Sequence, residues 1–134
     1  MTTRRTVEAY YQAFNEKNYS AMLALVAEDV VHEPNQGTPR HGKTLFEQFV
    51  AHMDICYREQ LSDFIYYESP DKQECAAVRF VVNGVYLKGD EGLPAAHGQS
   101  YVLPAAAFLE VRNGKIIKVA TFYNLEEWIA LVSK

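Results

Sequence analysis

Val7, Tyr10, Tyr11 and Phe14 recur at i, i+3, i+4 and i+7, the spacing of one helical face, and predict an amphipathic helix over residues 3–17. Beyond a polar stretch, Asn18 can cap a short second helix that carries Met22, Leu25 and Val26 and ends at the Glu28-Asp29 pair. Residues 30–34, VVHEP, form a β-prone run stopped by proline, and residues 35–39 have loop chemistry. Thr44 and Glu47 then fit a capping box. Behind them Phe46, Phe49, Val50, Met53 and Tyr57 repeat at helical spacing and predict a third helix.

From Phe64 onward the pattern changes to β-rich runs, at 64–68, 75–82 and onward through 87, 101–112 and 115–123. Asn113-Gly114 joins the last two as a hairpin turn. Asn83-Gly84 reads either as a turn or as a bend within one long curved strand, and the bend is the expectation. Residues 88–99, KGDEGLPAAHGQ, form a loop long enough to be a lid over a site, or an ordinary exposed hairpin loop. Asn124 and Glu127 cap a closing helix whose apolar face is Leu125, Trp128, Ile129 and Val132. The order of elements predicts one α+β domain over residues 1–134, with helices packed on one face of a curved antiparallel sheet.

With 134 residues, 49% hydrophobic and 22% charged, the chain can bury one core without disulfide or metal support. Its formal charge of -4 offers no basic excess for a phosphate backbone, so nucleic acid is not an expected partner. The apolar runs are too short to span a bilayer and the first residues lack the pattern of a secretory signal, so the expectation is a cytoplasmic protein with no membrane contact. Cys56 and Cys75 show no pairing pattern and read as buried free thiols. Nine tyrosines fit either a cavity that holds an apolar ligand by a few hydrogen bonds, or well-packed strands.

His32, His41, His52 and His97 are scattered over different predicted elements, with no HxH, HExxH or Cys/His cluster, so no metal is expected. Phosphate-binding glycine motifs are also absent, and no cofactor is expected. The chemistry therefore rests on His32 and Glu33. Adjacent strand residues point to opposite faces, so one of the two faces inward. A carboxylate inside an apolar cavity has its charged form disfavoured and becomes a better proton carrier near neutral pH. Alternatively Glu33 caps the following loop or pairs with Arg40 at the surface, and His32 is a half-exposed strand residue.

The segment VEAYYQAFNEKNYSAMLALVAEDVVHEPNQG, a third helix, and a strand meander ending in FLEVRNGKIIKVATFYN resemble the nuclear transport factor 2-like superfamily over nearly the whole chain. VVHEPNQG, YLKGDEGLPAAHGQSYVLPAAAF and FYNLEEWIA look like its group related to ketosteroid isomerases and SnoaL-like polyketide cyclases. The resemblance implies a cone-shaped curved sheet with helices on the concave face, the nuclear transport factor 2-like (cystatin-like) fold. It also implies a cavity for a small apolar molecule and a homodimer packed through sheet surfaces. By the same resemblance Glu33, before Pro34, stands where the isomerases carry their general base, with His32 as the other inward candidate. Tyr10 matches their oxyanion donor, while Ala106 stands at the place of their second donor, a protonated acid. Phe14, Tyr57, Tyr86, Tyr101, Phe108 and Tyr123 are the expected lining. Proton transfer next to a carbonyl, as in a cofactor-independent isomerase or cyclase, is the leading expectation. The alternative is a binding or dimerisation domain without catalysis. A hydrolase would need Glu33, Asp54 and Glu91 to converge on one water.

Overall fold

The computed structural model describes residues 2–134. Helices α1 (Thr3–Asn15) and α2 (Tyr19–Ala24) come first, followed by strands β1 (Val26–Glu33) and β2 (Arg40–His41). Helix α3 (Lys43–Cys56) leads into β3 (Tyr57–Glu68), β4 (Cys75–Tyr86), β5 (Gln99–Arg112) and β6 (Lys115–Tyr123), and α4 (Leu125–Val132) closes the chain. The strands form one curved, unclosed sheet in the order β2-β1-β6-β5-β4-β3. All neighbours are antiparallel except β1 and β6, which run parallel.

Thr2 caps α1 by accepting from the Arg5 N–H, and Val7, Tyr10 and Tyr11 form its buried face, as the periodicity predicts. Asn18 and Asn124 cap α2 and α4 in the same way. The second helix ends earlier than expected, at Ala24, and residues 26–29 belong to β1. Val26 is buried opposite Ile116 and Val30 is fully buried, so strand pairing outweighs the helical spacing there. Gly42, not Thr44, stands at the N-cap of α3, with no side-chain cap.

Tyr57 ends α3 and starts β3, so the strand begins seven residues before the predicted one. β4 runs unbroken through Asn83-Gly84. The hairpin at Asn113-Gly114 has φ of 53° and 73°, the left-handed pair that a two-residue turn between twisted strands requires.

Alternation along the strands separates two sheet faces. Val78, Phe80, Val82 and Tyr86 on β4, and Tyr101, Leu103, Ala105, Ala107 and Leu109 on β5, point to the concave side and are buried under the helices. The convex side carries Val102, Phe108 and Phe122, each more than half exposed, with the Phe108 and Phe122 rings 5.9 Å apart.

Candidate active site

Between the concave face and the helices lies a cavity of about 560 Å³, the size of a small-molecule site. The register of β1 against β6 decides which of His32 and Glu33 enters it. His32 lies beside Val119, an inward residue, and Glu33 beside Ala120, an outward one. His32 accordingly lines the cavity at 4% exposure, its ring edge-on to Phe46 and Phe49 at 5.1 and 4.5 Å. Glu33 is on the convex side, 3.5 Å from the Lys118 ammonium. The general-base role expected of Glu33 therefore has no access to the cavity.

Burial pushes the His32 imidazole down to about pH 4, and the nearby Arg40 guanidinium adds to the shift. The ring is neutral at neutral pH, and its Nδ1 is buried without a hydrogen-bond partner. Asn35 lies three residues further on, in the loop that Pro34 opens. Its Oδ1 accepts from the Tyr123 backbone N–H at 2.8 Å, which fixes the amide so that Nδ2 is the free end. That Nδ2 is also buried and unpartnered. Among the described residues these are the two buried side-chain polar atoms without a partner, and both residues line the cavity. Such atoms are uncommon in folded proteins and call for an explanation in terms of strain, function or an ordered water.

Of the other expected site residues, Tyr10, Phe14, Tyr57, Tyr101 and Tyr123 also line the cavity. Burial holds the Tyr10 phenol far above its ordinary value, so it remains a proton donor throughout the working range. Tyr86 and Phe108 are not brought to the site. Tyr86 is fully buried behind Tyr57, stacked at 5.4 Å, and Phe108 points from the convex face because β5 alternation sends even-numbered residues outward. The same alternation turns Ala106 outward, between inward Ala105 and Ala107, and none of the three can donate a proton. Asp54 and Glu91 line the cavity but Glu33 does not, so the carboxylate trio that hydrolysis would need is not assembled.

Two carboxylates that the sequence reading missed face the cavity, each held by a tyrosine. Tyr101 donates to Glu59 at 2.6 Å, and Tyr57 donates to Asp90 at 2.8 Å. Burial raises the Glu59 carboxyl above its usual value, against the opposing effects of the Tyr101 hydrogen bond and the Lys17 charge. Burial would raise Asp90 too, but the hydrogen bonds from Tyr57 and His52, the His52 charge and the Glu91 N–H outweigh it and leave the carboxyl below its usual value. Glu59, Gly84 and Tyr101 are aligned across β3, β4 and β5, and the tyrosine ring crosses Gly84 to reach the carboxylate. A Cβ on Gly84 would lie 2.2 Å from that ring, so only glycine permits the crossing.

Residues 88–99 do not form a loose flap. Tyr86 donates its hydroxyl to the Pro94 carbonyl at 2.7 Å and accepts from the Asp90 N–H at 2.9 Å, while Asp90 also takes the Tyr57 and His52 contacts. Trp128 from α4 lies edge-on to Tyr57, Tyr86 and Tyr101 and closes this end of the site.

A curved unclosed sheet with helices over its concave side and a cavity between them is the ketosteroid isomerase-like, nuclear transport factor 2 architecture. The chain belongs to the SnoaL-like domain family, whose model matches residues 7–119. It is similar to a "putative polyketide cyclase" from Pseudomonas putida at 48% identity, with a TM-score of 0.95 and 98% of each chain covered. A protein of the same description from a Silicibacter species has 46% identity and a TM-score of 0.95, covering 99% of this chain and 96% of that one. At the level of fold, a Catenulispora acidiphila protein with a ketosteroid isomerase-like fold, solved with trimethylamine, has 19% identity and a TM-score of 0.75 over 96% of this chain and 92% of that one. No protein with a curated description matches. None of the described helices is long and apolar enough to cross a membrane.

Proposed function

We propose that the protein catalyses proton transfer next to a carbonyl of a small, mainly apolar compound, as an isomerase or cyclase. The observation that carries this reading is the pair of unpartnered buried nitrogens, His32 Nδ1 and Asn35 Nδ2, on residues lining one cavity. The neutral His32 imidazole takes a proton from the carbon beside the carbonyl. The C–H electron pair moves into the new C=C bond, and negative charge collects on the carbonyl oxygen. Asn35 Nδ2 and the Tyr10 hydroxyl are the donors available to that oxygen, already fixed in place before charge develops. The imidazolium is costly in the apolar site on its own, but the enolate is its counter-charge, so the two are stabilised as a pair. Return of the proton at another carbon completes an isomerisation. Attack of the enolate carbon on a second carbonyl, with the proton delivered to the resulting alkoxide, completes a cyclisation.

The same cavity without catalysis is the second reading, supported by the alanines at 105–107, where no acidic donor stands. Proton NMR in D2O separates the two readings. Cyclic ketones and β-diketones should exchange the hydrogens beside their carbonyls faster with the protein, and His32→Gln should slow this by at least about 100-fold, the ordinary worth of a positioned base. Glu33→Gln should leave the exchange unchanged. Ligand binding without any exchange would favour the non-catalytic reading. Loss of exchange in Glu33→Gln alone would overturn the assignment of the base.

We also propose that two copies pair through the convex face. Val102, Phe108 and Phe122 form exposed apolar surface on strands whose other face already covers the core, and the partner that fits it is a second copy of this chain.

A further inference from the structure

His52 and Cys56 lie four residues apart on α3, hence on one side of the helix, and the 87–98 loop brings Asp90 to them. The His52 Nε2 atom is 2.8 Å from Asp90 Oδ1 and 3.8 Å from Cys56 Sγ, and all three donor atoms lie within 4.8 Å of one another. The group is assembled only by the fold, because its third member comes from a loop 34 positions away from the second.

Two arrangements of histidine, cysteine and aspartate carry chemistry, and they differ in which ring atoms are used. A nucleophile relay needs the thiol on one imidazole nitrogen and the carboxylate on the other. Here both meet the same nitrogen, Nε2, and burial raises the Cys56 thiol instead of favouring its thiolate. A metal site needs the opposite: one atom from each residue facing a common point. Zinc at its ordinary bond lengths to nitrogen, oxygen and sulfur spaces tetrahedral donors about 3.3–3.6 Å apart. The present spacings of 2.8, 3.8 and at most 4.8 Å reach that arrangement with displacements of about 1 Å.

The carboxylate is already supported from outside. Tyr57 donates to Asp90 Oδ2, the oxygen turned away from His52, and the Glu91 N–H donates to Oδ1. Tyr86 holds the Asp90 backbone N–H. Hydrogen-bonded supporting partners of this kind orient the ligands of protein metal sites. The His52 ring is half exposed and free to adjust, and His52 and Asp90 both line the cavity.

We propose that His52 Nε2, Cys56 Sγ and Asp90 Oδ1 form a binding site for a borderline divalent cation, zinc in the first instance, with a remaining coordination position toward the cavity. The donor set of one imidazole, one thiolate and one carboxylate suits zinc and its spectroscopic substitute cobalt better than magnesium or calcium, which take oxygen ligands. On binding, the Cys56 thiol gives its proton to solvent, and the His52–Asp90 contact is replaced by two bonds to the ion. This site does not depend on the proton-transfer reading, and its test uses binding alone.

The experiment is a titration of the full chain, free of any histidine tag and first stripped with a chelator, with Co2+ followed by optical absorption. Saturable uptake of one ion per chain is expected, with a thiolate-to-cobalt charge-transfer band that stoichiometric Zn2+ abolishes by displacement. Cys56→Ala should lose the band, and Cys75→Ser should keep it. His52→Ala, a change at a half-exposed side chain that leaves the core intact, should weaken binding by more than the roughly 10–100-fold that loss of a supporting partner costs. Tyr57→Phe should fall within that 10–100-fold range. Absence of a band and of saturable uptake in the wild type would overturn the proposal. So would a band that follows Cys75, or His52→Ala binding the ion as tightly as the wild type.

Discussion

Replacing Gly84 by alanine is a change of one methyl group on a buried strand, and it tests how the Glu59–Tyr101 pair is built. The backbone at Gly84 lies outside the left-handed region, so alanine meets no conformational strain and even gains about 0.4–1 kcal/mol through the unfolded chain. Against this, the new Cβ falls 2.2 Å from Tyr101 Cζ, 2.3 Å from Cε2 and 2.5 Å from the hydroxyl oxygen. The ring cannot move aside cheaply, since Tyr101 is 2% exposed and packs on Trp128. Overpacking of this kind costs about 1–3 kcal/mol, and pushing the hydroxyl off Glu59 forfeits a hydrogen bond to a charged group worth about 1.5–3 kcal/mol. The net is a loss of about 1.5–5.5 kcal/mol, centred near 3. At about 2.1 cal/mol/K of unfolding entropy per residue, each kcal/mol lowers Tm by about 3–4 °C here, so the variant should melt about 10 °C below the wild type. Scanning calorimetry reads this directly. In a Tyr101→Leu background, where no ring crosses position 84, the same change should cost nothing. A Gly84→Ala protein within 0.5 kcal/mol of wild type, about the scatter of an inert substitution, would show that the ring does not depend on the glycine.

His32 gives a pH dependence whose sign follows from its environment. Its folded value of about 4 lies below the unfolded 6.5, so the unfolded chain binds the extra proton first, and stability falls as pH drops from about 6.5 to 4. The difference is worth about 3 kcal/mol, to be read by urea unfolding at pH 7 and pH 4, and His32→Gln should remove that share of the acid sensitivity. Tyr86→Phe removes the hydroxyl that serves both Pro94 and Asp90, so amide exchange across residues 87–98 should rise by about 10-fold or more while α1 stays protected. Phe108→Glu should lower the sedimenting mass from two chains to one, with the circular dichroism unchanged; a wild type that sediments as one chain would remove the paired-sheet proposal.

What the sequence made legible follows the strength of its local signals. Val7, Tyr10, Tyr11 and Phe14 identify α1, and Asn113-Gly114 identifies the final hairpin, because spacing and turn chemistry act within a few residues. The start of β3 was hidden because Tyr57 fits the helical spacing of α3 and the polar Arg58, Glu59 and Gln60 carry no β-rich pattern. Glu59 is polar there because it faces a cavity and not the packed core. Alternation showed that His32 and Glu33 face opposite ways but not which faces in. That was decided by a parallel pairing of β1 with β6, nearly ninety residues apart, which no local pattern records. Asn35, Asp90 and the helix pair His52 and Cys56 were missed for the same reason: each gains its meaning from a partner distant in sequence.

His32, and not Glu33, is the proposed proton carrier of the cavity. Nitrogen-15 NMR of histidine-labelled protein tests it most directly, since the chain holds four histidines and His32→Gln assigns the one in question. One imidazole should titrate near pH 4, and its nitrogens should shift when a phenol, a mimic of the enolate, is added. An assigned His32 imidazole that titrates near the ordinary value of about 6.5 and is left unperturbed by the phenol would overturn the assignment.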